Sequence, residues 1–306
     1  MNKKTSLYII ILIILVGIYL LTKIDTNKEK RFNFFTADSN SVARFEITAQ
    51  EDTLYLAKEA DEWRIVEPVD WRLQVGKIDK LYDTVLTAET SSIPVSENES
   101  SLEKYELTDS LAVHFKTIDA SGKVLDDVLI GKSSNYNVTP VRKIDSNKVY
   151  LLETNIAYSL KPTLDSWRRR EIVEIDPEQI TKFMVVSDGA TFTLTQSDSL
   201  WQYEDEKESF TVKDDNAALT AMKSSFNRFA ATGFVDGEFD KYANALAIPV
   251  LELGIEMWDG SNYYFRYAPY EEKKYVVQLN NDTDALYLQS EGSMTKFQKT
   301  AADFKL

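Results

Sequence analysis

The sequence predicts an α+β protein with an N-terminal transmembrane helix and two homologous modules of antiparallel sheet with helices. Three observations predict this fold class: an uncharged apolar run near the N-terminus, an internal repeat, and strand-like alternation around a helical pattern in each half. The predicted boundaries are 1–24 for the transmembrane helix, 25–35 for a linker, 36–173 for the first module and 174–306 for the second.

The N-terminal run is predicted to be an uncleaved signal anchor. Residues 5–22 carry no charge and lie between Lys4 and Lys23. At ~1.5 Å per residue, a helix of this length reaches ~27 Å, close to the ~30 Å hydrocarbon thickness of a bilayer. A cleaved signal peptide would need a small-x-small site, and the residues after Gly17 contain none. The lysines before the run favour a cytoplasmic N-terminus, so we expect the bulk of the chain on the extracytoplasmic side.

A repeat relates the two halves of the remaining chain at an offset of roughly 137–138 residues. Residues 42–47 match 180–185, and Trp63 matches Trp201, each after an alternating strand-like stretch. The further matches in register are Leu81 with Leu219, Lys104-Tyr105 with Lys241-Tyr242, and Val149-Tyr150-Leu151 with Leu286-Tyr287-Leu288. These aromatic matches predict that the two modules are homologous.

Each module is predicted to contain the same elements in the same order. Three strands come first, then a helix, then four strands and a short closing helix. In the first module the predicted elements are the strands 45–49, 53–56 and 63–66, a helix over 78–86, the strands 111–115, 123–125, 140–142 and 149–151, and a closing helix over 157–167. In the second module Leu219, Met222, Phe226 and Phe229 mark the helix, with Asp214 or Asp215 expected to cap it.

Composition excludes several classes of function. The 306 residues carry a net charge of −14, which argues against a nucleic-acid partner because phosphate binding needs clustered Lys and Arg. The chain has no cysteine, and His114 is the single histidine, so neither a cysteine-ligated metal nor a histidine pair is available. Gly131-Lys132-Ser133 lacks the first glycine of a phosphate loop, so Gly131 is interpreted as the end of a strand. The sequence predicts no catalytic, cofactor-binding or metal-binding residue.

Two groups of residues are candidates for a ligand or partner surface. Tyr263, Phe265, Tyr267 and Tyr270 could stack sugars or contact a partner, or they could be core residues and cross-strand pairs. Arg168-Arg169-Arg170, at the seam between the modules, could bind lipid headgroups or an acidic partner, or pair with the carboxylates of the chain itself.

The order of short motifs resembles a bacterial family called domain of unknown function 4340. The motifs are Trp63-Arg64-Ile65-Val66-Glu67-Pro68, Tyr105-Glu106-Leu107, Leu129-Ile130-Gly131, Val149-Tyr150 and Trp167-Arg168-Arg169-Arg170-Glu171-Ile172. Glu106 stands where that family has a glycine, and Arg266 falls where the second module would have an Ile-Gly. The resemblance implies a membrane-anchored envelope protein, often encoded beside ABC-transporter permeases and gliding-motility-type auxiliary proteins, and it transfers no catalytic residue.

The expected function is that of a non-enzymatic accessory or scaffold protein in an ABC-type transport or envelope complex. We expect a single-pass protein of the bacterial inner membrane, anchored by residues 5–22, with no cofactor and with a membrane-protein partner such as an ABC permease. An envelope glycan- or lipid-binding module is the alternative. A carboxylate-based hydrolase is a third interpretation, although no spacing singles out a carboxylate pair.

Overall fold

The computed structural model describes residues 12–16, 30–132, 137–187, 190–198 and 200–305. It forms two compact units, Met1–Arg168 (unit 1) and Arg169–Leu306 (unit 2). Residues 12–16 of the predicted anchor are helical, while the remainder of 1–24 lies outside the described residues. Among the helices of the described residues, none has the length and apolarity needed to cross a bilayer.

Unit 1 is built on one antiparallel sheet. Within the described residues it has ten strands in the spatial order β1-β6-β10-β9-β8-β7-β2-β3-β4-β5. The strands are β1 (Arg31–Asn33), β2 (Val42–Ala49), β3 (Asp52–Glu59), β4 (Glu62–Glu67), β5 (Trp71–Arg72), β6 (Glu89–Ser91), β7 (Val113–Asp119), β8 (Val124–Ile130), β9 (Thr139–Lys143) and β10 (Tyr150–Leu152). Its helical segments are α1 (Lys77–Lys80), which continues as a π-helical turn at Leu81–Val85, and the 3₁₀ turns Ser39–Ser41, Glu99–Ser101, Ala157–Leu160 and Leu164–Ser166.

Unit 2 is also built on one antiparallel sheet. Its nine strands within the described residues have the order β14-β13-β12-β11-β16-β17-β18-β19-β15. The strands are β11 (Ile180–Ser187), β12 (Ala190–Ser197), β13 (Leu200–Asp205), β14 (Ser209–Lys213), β15 (Gly233–Val235), β16 (Leu251–Met257), β17 (Asn262–Glu271), β18 (Lys274–Leu279) and β19 (Leu286–Ser290). The helices are α2 (Ala217–Ser224), α3 (Phe239–Ala247), α4 (Glu291–Met294) and α5 (Ala301–Phe304), with 3₁₀ turns at Pro177–Gln179 and Ser225–Arg228.

The two sheets have the same strand order. The unit 1 sheet is read from β5 to β6 and the unit 2 sheet from β14 to β15. Each strand of unit 1 then corresponds to the strand of unit 2 that has the same place in the chain order of its unit. β1 is an additional strand of unit 1. The register agrees as well, because Glu46 lies opposite Lys116 and the matching Met184 lies opposite Gly254. Equivalent positions of the two units can therefore be compared directly.

One face of each sheet, called here the inner face, holds the main core. In unit 1 the helical segment 77–85 packs Leu81 and Val85 against this face, together with Phe45 and Trp167. In unit 2 the rings of Phe226 and Phe229 stack at 4.8 Å, and Phe226 contacts Phe183 of β11. The apolar spacing of both helices predicted these buried faces.

Among the described residues, an apolar cluster covers one end of the opposite, outer face of each sheet. In unit 1 a small cluster around Leu102, Leu107 and Leu129 covers it. In unit 2 α3 covers it with Tyr242 and Leu246. The outer-face positions of β2 and β7, and of β11 and β16, lie beyond these covers, and a functional surface can form there.

Candidate functional site

The predicted aromatic patch divides between the core and the surface. Phe265 and Tyr267 are both 0% exposed, so they are core residues and not a binding surface, which corrects the expectation for these two side chains. They point to the inner face, where the Phe265 ring meets Phe229 at 5.0 Å. The Tyr267 hydroxyl donates to Gln289 Oε1 at 2.9 Å, and burial raises the pKa of Tyr267 above its ordinary value.

The other two tyrosines of the patch keep some exposure. Tyr270 packs against Tyr242 of α3, with ring centroids 5.8 Å apart, and so belongs to the covered end of the outer face. Tyr263 is half-buried and lines a small depression beside Tyr264. The structure therefore does not bring Tyr263, Phe265, Tyr267 and Tyr270 together as one exposed surface.

The first arginine of the predicted basic run is a core residue of unit 1. Arg168 is 1% exposed, and its guanidinium carbon lies 5.1 Å from the centre of the Trp71 ring. Its Nη1 atom lies 3.5 Å from Asp165 Oδ1. Arg168 is thus held by stacking and by charge pairing within its own unit, and the expectation of an exposed basic surface is corrected for this residue.

The next two arginines belong to unit 2 and also contact their own unit. Arg169 forms ion pairs with Glu174 and Glu171. Arg170 donates from Nη1 to the carbonyl oxygen of Thr232 at 3.2 Å. Arg168 and Arg169 therefore pair with carboxylates of the chain itself, which was one of the two interpretations of this run.

The family-like motifs meet in a packing contact. A Cβ atom added at Gly131 would lie 2.0 Å from the carbonyl oxygen of Tyr105, so glycine is the residue that lets this backbone approach β8. Glu106, where the family has a glycine, has a φ of 53°, in the left-handed region that favours glycine. In unit 2 the equivalent residues, Tyr242 and Ala268, share one apolar cluster. These motifs position the cover of the outer face.

The uncovered outer face of unit 1 is charged. Lys116 Nζ lies 3.6 Å from Glu46 Oε2 across β2 and β7. On the next pair of strands His114 Nε2 lies 2.5 Å from Asp127 Oδ1. Four ionisable side chains therefore occupy neighbouring outer-face positions and contact one another in two pairs.

Three of these four positions are uncharged in unit 2, and the fourth, that of His114, is Glu252. The three uncharged residues and the neighbouring Val186 form what we call the apolar strip: Met184, Val186, Gly254 and Tyr264. They replace Glu46, Thr48, Lys116 and Asp127 of unit 1. Met184 is 39% exposed and Val186 is 36% exposed. A Cβ added at Gly254 would lie 3.0 Å from Met184 Cε, so the methionine packs over the bare glycine backbone.

A depression of about 150 Å³ opens beside the apolar strip. Tyr263 and Tyr264 line one side, and the ion pair between Lys182 Nζ and Glu256 Oε1, at 3.0 Å, lies along its rim. The pKa of Tyr264 is raised, first by burial and then by its hydrogen bond to Glu252. The strip thus has an apolar centre and a paired polar rim, the layout of many protein–protein contact surfaces.

A second exposed feature of unit 2 is Trp258, which was not among the candidate residues predicted from the sequence. Trp258 is 79% exposed at the turn between β16 and β17, whereas Trp201 is buried at 1%. The equivalent turn of unit 1 carries Ala120. The repeat could have revealed this difference, because it aligns Ala120 of unit 1 with Trp258 of unit 2 just before the glycine of each turn.

No group of three or more His, Asp or Glu side chains within the described ranges is arranged to hold a metal ion. The larger depressions of unit 2 are open and polar. One of about 610 Å³ is lined by Tyr203, Asp205 and Lys305, among others. The pKa of Tyr203 is raised by burial and by Asp205, whose Oδ2 accepts a hydrogen bond from the Tyr203 hydroxyl at 2.8 Å.

The fold and surfaces define a two-unit antiparallel-sheet protein whose second unit carries the apolar strip. A family model described as "Domain of unknown function (DUF4340)" matches residues 63–247, from β4 of unit 1 to the end of α3 in unit 2. The chain belongs to this family. The match crosses the boundary between the units, and it confirms the family that the sequence motifs indicated. No curated protein and no solved structure matches the chain significantly.

Proposed function

We propose that the protein is a non-enzymatic accessory or scaffold subunit of an ABC-type transport or envelope complex. In this proposal residues 5–22 anchor the chain in the bacterial inner membrane, and both units lie on the extracytoplasmic side. The partner is a membrane protein such as an ABC permease. Family membership and the uncharged N-terminal run support the proposal.

The observation that carries a docking role is the apolar strip. Unit 1 provides an internal reference: the same sheet face, in the same register, carries the Lys116–Glu46 ion pair and the His114–Asp127 hydrogen bond there. In unit 2 that face exposes Met184 and Val186 instead, at 39% and 36%. Depletion of charge at the centre with polar groups at the rim distinguishes an interface core from ordinary surface, and methionine is enriched in such cores.

The test is a crosslinked pull-down of the full-length chain from native membranes, read by mass spectrometry. We expect an ABC permease and its ATPase to co-purify with the wild type. The double variant Met184→Glu/Gly254→Lys should fold, because it installs the Glu46–Lys116 pair of unit 1 at the same positions and removes the methionine that crowds residue 254. We expect this variant to lose most of the co-purified partner, at least tenfold.

The matched control is Leu200→Glu. Leu200 is 45% exposed at the start of β13, away from the apolar strip, so this variant also replaces an exposed apolar side chain with a charge. Its partner yield should match the wild type. Recovery of the protein alone, under conditions that retain known membrane complexes, would contradict the accessory role. Equal partner yield from the double variant would contradict the assignment of the strip.

A further inference from the structure

Trp258 is displayed on a turn that is tightly hydrogen-bonded. Met257 N donates to the Ser261 carbonyl at 2.9 Å, and Gly260 N donates to the Met257 carbonyl at 3.0 Å. Asp259 Oδ1 accepts from Ser261 N at 2.8 Å, and this bond lowers the pKa of Asp259. Trp258 N itself donates to the Gln179 carbonyl at 2.8 Å. The backbone is fixed, yet the indole is left in water.

The turn does not need a tryptophan. In unit 1 the same two bonds occur, from Asp119 N to Lys123 O at 2.9 Å and from Gly122 N to Asp119 O at 3.0 Å, and Ala120 occupies the equivalent of Trp258. A large apolar side chain that stays exposed forgoes the favourable free energy of burial. The indole is therefore an addition specific to unit 2.

The indole borders a polar depression of about 480 Å³. Its lining residues besides Trp258 are Glu178, Gln179, Thr181, Gln196 and Asp198. In the described part of the chain, the side-chain amides of Gln179 and Gln196 make no hydrogen bond. Each amide offers two donors and one acceptor oxygen, so this wall can bind hydroxyl groups.

We propose that Trp258 and this depression bind a pyranose unit of an uncharged glycan. The C–H face of a sugar ring carries partial positive charge and stacks on the negative face of an indole, while its equatorial hydroxyls reach the side. Gln179 and Gln196 supply directional amide groups at the side of the indole. One exposed aromatic face beside side chains that donate and accept hydrogen bonds can both stack a ligand and orient it.

The charge of the wall selects among sugars. Asp198 and Glu178 are both exposed carboxylates, and Glu178 pairs with Lys223, whose Nζ lies 3.2 Å from its Oε2. A uronic acid would bring a further negative charge to this wall. The site therefore favours neutral hexoses or N-acetylhexosamines. This inference goes beyond the accessory role and uses residues separate from the apolar strip.

The experiment measures binding of soluble oligosaccharides to the full-length protein in detergent by isothermal titration calorimetry. The probes are cellohexaose and chitohexaose as neutral glycans, and a polygalacturonate oligomer as the anionic one. We expect at least one neutral probe to bind the wild type and the anionic probe to bind at least tenfold more weakly. Trp258→Ala should weaken neutral-probe binding at least tenfold, and Trp258→Phe should weaken it less.

Two further variants separate this site from nonspecific stacking. Gln196→Leu removes the amide at nearly constant volume and should weaken binding at least threefold. Ala120→Trp in the Trp258→Ala background places an indole on the equivalent turn of unit 1, where Lys58 replaces Gln196, and should not restore binding. The inference is overturned if neither neutral probe binds, if Trp258→Ala binds as the wild type does, or if the anionic probe binds more tightly. Circular dichroism checks that each variant is folded.

Discussion

At the residue scale, Gly131 shows how an absent side chain sets the packing of unit 1. It follows β8 directly, and its missing Cβ leaves the space that the Tyr105 carbonyl occupies. The sequence predicted a strand end at this glycine but not the reason for it. The local sequence pattern does not reveal a contact between residues 26 positions apart in the chain. The distance of 2.0 Å to an added Cβ shows that a side chain at residue 131 would force the backbone to shift.

The first prediction concerns Gly131→Ala. The new methyl group would meet backbone, which moves less readily than the end of a side chain, so we expect a loss of about 2–4 kcal/mol in the free energy of unfolding. Urea denaturation followed by circular dichroism measures it. The control is Gly233→Ala, where the nearest atom to an added Cβ is Leu288 Cδ1 at 3.4 Å, an ordinary contact. A loss below about 1 kcal/mol for Gly131→Ala would contradict this packing.

Tyr267 leads to a prediction about pH. Burial raises its pKa above the ordinary value of 10.0, because a buried phenolate is disfavoured. The unfolded chain loses this proton near pH 10 while the folded chain keeps it. The contribution to stability is therefore complete below about pH 10, and it falls as the pH rises from there toward the raised pKa of the folded state, by about 1.4 kcal/mol per pH unit for one proton.

Urea denaturation between pH 9 and pH 11 tests this dependence, with the pH range chosen around ~10. Tyr267→Phe should lower stability at pH 8 by about 1 kcal/mol, because Gln289 loses its donor, and should reduce the alkaline slope. Tyr158→Phe is the control, since Tyr158 is 74% exposed and its replacement should leave the slope unchanged. An identical slope in Tyr267→Phe would contradict the role of burial.

At the element scale, the apolar pattern of α2 predicts the position of the helix but not the residue that caps its N-terminus. The apolar spacing located the helix, and Leu219 and Met222 are buried as expected. The predicted cap was Asp214 or Asp215, whereas Asn216 caps the helix, accepting from Ala218 N at 3.0 Å and Leu219 N at 3.1 Å. Asp214 instead accepts from Trp201 Nε1 at 3.0 Å. Three adjacent residues were all suitable caps, and only tertiary contacts distinguish them.

The prediction at this scale compares the two candidate caps. Asn216→Ala should lower the free energy of unfolding by about 1–2 kcal/mol, since it removes both cap bonds and the bond from Asn216 Nδ2 to the Phe304 carbonyl. Asp215→Ala, an exposed neighbour, should change it by less than about 0.5 kcal/mol. Thermal and urea unfolding of both variants measure the difference. Equal losses would show that the cap assignment is wrong.

The strands were more predictable than the faces they present. Alternation located β2, β3 and β4 within a few residues, because a half-buried strand leaves a period of two in the sequence. On β17 the same alternation placed Tyr263, Phe265 and Tyr267 on one face correctly but could not say which face is buried. The buried face is the one on which helices pack, and here α2 and the segment after it, which are distant from β17 in sequence, pack on the inner face.

At the scale of the whole molecule, the candidate surfaces became visible only through comparison of the two units. In sequence Trp63 and Trp201 are the matched tryptophans, and both pack in or against a core. Trp258, without a counterpart, is the exposed one. The apolar strip can likewise be recognised only from the strand register, because Met184 and Gly254 are distant in sequence but adjacent across β11 and β16. Residue types alone do not reveal such a juxtaposition.

The last prediction is that unit 2 folds as an independent domain. It has its own sheet and its own core, and a fragment of residues 169–306 is of ordinary domain length. We expect this fragment to unfold in urea in one cooperative transition. With Trp258→Phe, Trp201 is its single tryptophan, and because Trp201 is 1% exposed, its fluorescence should be blue-shifted in the native state and shift to the red on unfolding.

The matching fragment of unit 1, residues 30–168, serves as the comparison, since it has a separate core around Phe45, Phe115 and Trp167. Each fragment should unfold with a denaturant dependence that matches the surface exposed by one unit, because the slope scales with the surface exposed in the cooperative transition. A red-shifted native emission and a non-cooperative transition in the unit 2 fragment would show that its core needs the rest of the chain. In that case the apolar strip and the Trp258 depression could be assayed only in the full-length protein.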